Sequence, residues 1–206
     1  MNRWFGKILP DGCKICRAAD LQDFIASQAA FVSQKATIEY CRARAGLNWD
    51  KLFAERPFQA ALEVSRWEAF AAVLADLLVI VEGRLRPGLA DRPALLADRL
   101  AVMGRDILAS HPVPAHLPGG WSEAEAMIRR HLAEAQLGGP RPAGEVGRTA
   151  GSRVYETLPI HPSLRGHDRE LVTNNIRFGL VRAAETMAGR LDLPALAAQI
   201  RAGAGG

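Results

Sequence analysis

Residues 69–81 read AFAAVLADLLVIV, apolar at every position except Asp76. The run falls short of the roughly 20 apolar residues that a membrane span requires. Pro57 stands before it and Pro87 beyond it. Because proline disrupts a helix interior, the two bracket one long helix over residues 58–86. A helix that is apolar all round must be surrounded by other elements. The expected fold is therefore all-α: an irregular bundle of about five to seven helices built around a buried central helix, 58–86.

The flanking periodicities supply those helices. Asp20 is a plausible N-cap and Gly46 a stop for a helix over 20–45, with Leu21, Phe24, Ile25, Gln28, Phe31 and Val32 as its inward stripe. Trp49, Leu52 and Phe53 form a short helical corner before the central helix. Residues 91–110 carry a stripe of Leu96, Leu100, Met103 and Ile107, with Pro93 in the first turn. Ser122 and Glu125 have capping-box spacing at the head of a further helix, whose apolar face includes His131, read as a hydrogen-bonded core histidine. Asp168 is placed to cap a long helix striped by Val172, Ile176, Leu180, Ala183, Met187 and Leu191, and Leu193 to Arg201 form a short closing helix.

This divides the chain into an N-terminal arm (1–19), a helical bundle (20–137), a flexible linker or loop (138–153) and a C-terminal helical segment (154–206). The linker, GGPRPAGEVGRTAGSR, is rich in glycine and offers almost nothing to bury. The last segment is too small to hold a core of its own. It is expected to dock on the bundle or on a second subunit, which leaves a homodimer open.

Composition excludes more than it names. The net charge is +4, yet only four of the 26 basic residues are lysine (Lys7, Lys14, Lys35 and Lys51), and the arginines are interleaved with acids over every helix. Nucleic-acid binding needs a basic face, so it is not expected. Cysteines 13, 16 and 41 are an odd set with no disulfide framework. The single Cys13–Cys16 spacing lacks the partners of a structural zinc site, and no cofactor is expected. Trp4, Phe5, Ile8 and Leu9 share a face of the arm. They read as packing over the bundle, or else as a foot on a partner or an anionic surface, with membrane contact weak or absent. No leader-like series opens the chain, which points to the cytoplasm, and the arginine-, alanine- and glycine-rich usage points to a bacterium.

No catalytic motif is present: no phosphate loop, no nucleophile elbow and no zinc-protease signature. His111 with His116, and His161 with His167, lie in two proline-rich loops whose spacing demands no metal. The best candidate site is a polar seam. At a helical advance of about 100° per residue, Lys35, Glu39 and Arg42 continue the apolar stripe of their helix. Gln59, Glu63 and Arg66 precede Phe70 and Leu77 on the core arc of the next. Such charges form a salt-bridge network, an anion site built on arginine forks, or a partner contact. Asp76, in a lane of small residues, is either solvated or buried with a partner. Two functions follow: a non-enzymatic helical interaction or assembly factor, or a binding protein or enzyme for a small anionic ligand held in the seam.

Overall fold

The computed structural model describes residues 14–202. Trp4, Phe5, Ile8, Leu9 and Cys13, together with residues 203–206, lie outside the described residues. The chain is all-α, with no strand among the described residues; Ile15 makes an isolated parallel bridge with Leu191. The central helix, α4 (Arg56–Leu85), has Pro57 in its first turn and is buried without interruption from Ala69 to Glu82.

Before α4 come α1 (Ala18–Gln34), a π-helical turn (Lys35–Glu39), α2 (Tyr40–Ala45) and the corner helix α3 (Trp49–Ala54). After it come α5 (Pro93–Ala109), α6 (Ser122–Gln136), α7 (Arg148–Thr157), α8 (Pro162–Arg165), α9 (Arg169–Arg190) and α10 (Leu193–Ala202). Helices α1, α5, α6, α7 and α9 all pack on α4, and α9 also packs on α1 and α7. An apolar run with no solvent face is thus satisfied by neighbours on every side.

Local chemistry sets the ends. Asp20 sits inside the first turn of α1, where its carboxylate accepts the Arg17 backbone N–H at 3.2 Å and its guanidinium at 2.7 Å. Gly46 ends α2 at φ 56°, a conformation that disfavours side chains. Ser122 does not cap α6; its hydroxyl donates back to the Gly119 carbonyl at 3.0 Å. Fully buried Glu82 is held by both nitrogen arms of Arg86, at 2.8 and 2.6 Å, and Arg86 also donates to the Ala135 carbonyl at 2.8 Å. That guanidinium ties the end of α4 to the C-terminal carbonyls of α6, which lack helical partners.

Residues 148–153, assigned to a linker by composition, form the first turns of α7. Ala150 and Gly151 are buried there, and a Cβ on Gly151 would meet the Thr173 Cα at 2.8 Å. Glycine in this stretch allows α7 and α9 to touch; it does not loosen the chain.

Candidate functional site

The five seam residues do not gather in one cavity. The departure from the expected stripe begins within α1: Phe31, one turn before Lys35, is already 53% exposed, while Ala29, Val32 and Ser33 are buried. Ala36 and Thr37 continue the buried line of Val32 and Ser33 at i+4, and Tyr40 and Cys41 carry it on across the π turn, while Lys35, Glu39 and Arg42 are exposed. The Thr37 hydroxyl reaches back from the π turn and donates to the carbonyls of Ser33, at 2.9 Å, and Gln34, at 3.2 Å, in the last turn of α1. Arg42 lies over the Trp49 ring at 4.4 Å. Among the described residues, no ion pair links Lys35, Glu39 or Arg42 to Glu63. Arg66 is half-buried; desolvation lowers its pKa, and the nearby charge of Glu63 opposes that shift. Gln59 donates to the Phe53 carbonyl at 2.8 Å, bracing the corner.

Lys35 belongs to a different feature, a groove of about 370 Å³ between α1 and α9. One wall is made by Gln28 and Phe31 of α1 with Lys35 of the π turn, and the other by Asn175, Phe178 and Arg182 of α9. The groove has a floor because Gly179 brings the helices together: a Cβ there would lie 3.0 Å from both Val32 methyls. Phe31 is 53% exposed and Phe178 60% exposed. Each has a cation above it, Lys35 Nζ 5.9 Å from the Phe31 ring and Arg182 Cζ 5.9 Å from the Phe178 ring. Among the described residues neither cation has a carboxylate within 4.0 Å. Leu171, two turns before Phe178 on α9, is 61% exposed and lengthens the apolar track.

A second cleft, of about 710 Å³, opens between α4, α6, α7 and the loop that ends at Trp121. Glu68 stands in it with both oxygens engaged, one 3.2 Å from His116 Nε2 and the other 2.7 Å from Arg153 Nε. No protein-family model, no curated protein and no solved structure matches the chain. Assignment therefore rests on these geometries.

The histidines scatter. His111 packs edge-on against Trp67 and Phe70, at 5.4 and 5.1 Å, and desolvation lowers its pKa. His161 accepts the Ser163 N–H at the head of α8, and His167 is exposed. His131 Nδ1 lies 3.6 Å from Asp76 Oδ1, the only acid in the central apolar run. Asp76 is buried and accepts the Ala150 N–H at 3.1 Å, so it caps the first turn of α7 from the middle of α4. Burial pushes its carboxyl up to about 6, against the pull of the Ala150 N–H and Arg141. Burial likewise lowers the His131 pKa.

The groove has a signature in sequence that stripe-reading passes over. Phe178 lies about 200° around the helix from Ile176, on the face opposite the buried stripe. A phenylalanine there, two turns from Leu171 and one from Arg182, marks an apolar outer face.

Proposed function

We propose that the protein is a non-enzymatic helical interaction module, and that the α1–α9 groove receives an acidic amphipathic helix from a protein partner. The supporting observation is the pair Phe31 and Phe178, both more than half exposed, each beside a cation without an acidic neighbour. Exposed aromatics over a narrow floor suit the helix-in-groove mode, in which apolar anchors one turn apart enter and flanking charges set register. Carboxylates beside such anchors would meet Lys35 and Arg182. A second copy of the same face would bring cation against cation, so the charge pattern favours a different protein over a homodimer through this groove. No helix of the described residues is long and apolar enough to cross a membrane. The unpaired thiols Cys16 and Cys41 fit the reducing cytoplasm to which we assign the module.

The test is fluorescence anisotropy with three labelled peptides: an amphipathic helix flanked by glutamates, the same apolar stripe flanked by lysines, and a scrambled acidic control. The first should bind, with Phe31→Ser and Phe178→Ser each weakening it about tenfold, the loss of one interface anchor. Equal binding of the acidic and basic peptides, or full affinity in both serine variants, would sink the reading.

A further inference from the structure

The larger cleft is independent of the groove and carries an inference of its own. Its floor is aromatic and fixed: Trp67 meets Trp121 edge-on at 5.5 Å and is braced behind by Phe70 at 6.1 Å. Met127 of α6 adds an adaptable apolar wall. The volume of about 710 Å³ lies within the range of sites that enclose small organic molecules.

The charges around this floor are unevenly matched. Glu68 is satisfied by His116 and Arg153, and Glu156 lies 3.4 Å from Arg169. Arg148, at the start of α7, has no carboxylate within 4.0 Å among the described residues, and Arg130, on α6, reaches Glu134 only at 3.9 Å. Glu123 remains as an acid in the first turn of α6, where the helix dipole favours it. Two weakly engaged guanidinium groups, one on each wall, therefore share the space above an apolar floor. Guanidinium forks match a planar carboxylate, and the inclined tryptophan rings, with Met127, present an apolar wall to the rest of such a molecule.

We infer that the cleft between α4, α6 and α7 is a binding site for a small organic acid with an apolar body, its carboxylate held by Arg130 and Arg148 and its body set against Trp67, Trp121 and Met127. Uncharged analogues lose the arginine contacts and keep only the floor.

Isothermal titration with naphthalene-2-carboxylate and naphthalene-2-carboxamide tests this on the intact chain. The acid should bind at least about tenfold more tightly than the amide, the difference made by charge-assisted hydrogen bonds. Arg130→Ala and Arg148→Ala, both at exposed positions, should each weaken the acid about fivefold or more and leave the amide unchanged. Ala126→Trp, which fills the cleft from its exposed rim, should abolish both. The inference is overturned if acid and amide bind alike, if both arginine variants keep wild-type affinity for the acid, or if the acid fails to bind at concentrations up to about 1 mM. Because these probes do not address the α1–α9 groove, neither result bears on the peptide reading.

Discussion

Asp76 places a carboxyl in the most apolar stretch of the chain, where the water it loses is replaced by one backbone N–H, from Ala150, and by the neighbourhood of His131 and Arg141. Because burial raises its pKa from 3.8 to about 6, the folded state holds the proton more firmly than the unfolded chain does. Stability from this group is then greatest below about pH 4 and is lost as pH rises through about 6; a shift of that size corresponds to roughly 3 kcal/mol. His131, lowered by burial, acts in the opposite sense, so the group must be isolated by substitution. Asp76→Asn keeps an oxygen for the Ala150 N–H and removes the titration. Urea denaturation across pH 4–7 should show the wild type losing stability relative to the asparagine variant as pH rises through that window. A pH-independent difference would mean that the cap is not a buried, titrating carboxyl.

At the scale of elements, the inward face of the first long helix is set within α1 and is carried across the π turn to Tyr40 and Cys41. A stripe drawn through Phe31, Lys35 and Glu39 leaves that face before the π turn, since Phe31 is already 53% exposed and the buried line runs from Val32 and Ser33 to Ala36 and Thr37. Nothing in local composition announces that turn, and the Thr37 back-bond to Ser33 and Gln34 is of a kind that Thr157 makes in the regular helix α7. Thr37→Val conserves shape and removes those bonds, so it should cost about 1 kcal/mol in urea unfolding, the net worth of a buried hydrogen bond. A cost near zero would show that the hydroxyl does not support the turn. The crossing of α7 and α9 depends on Gly151. Gly151→Ala would press a methyl against the Thr173 backbone, and overpacking of this kind should destabilise by about 1–3 kcal/mol in the same assay. A neutral result would place the two helices farther apart than this architecture has them.

For the whole molecule, the parts legible in sequence were those governed by burial. Two prolines and an apolar run broken only by Asp76 set the bounds of α4, and the period of about 3.6 residues places the inner faces of α5, α6 and α9. The parts that escaped depend on how elements meet. Gly151 looked like linker because a contact made by an absent side chain leaves no apolar signal. Lys35, Glu39 and Arg42 read as inward because their phase is taken from Phe31, which itself faces outward. Lys35 alone of that set lines the groove proposed here, and Phe31, assigned to the core stripe, stands half in solvent at its rim. What emerges is a bundle whose centre is occupied by α4 and whose outer face, along α1 and α9, keeps two phenylalanines beside two cations.

The most direct test of that account is the footprint of the acidic amphipathic peptide on the isotope-labelled protein, which at 22.3 kDa is within reach of amide chemical-shift mapping. Saturating peptide should shift amides along Ser27–Lys35 and Asn175–Thr186, the two walls of the groove, and leave the walls of the larger cleft, 123–130 and 148–156, in place. Shifts concentrated on those cleft walls, or no shifts at saturating peptide, would contradict it.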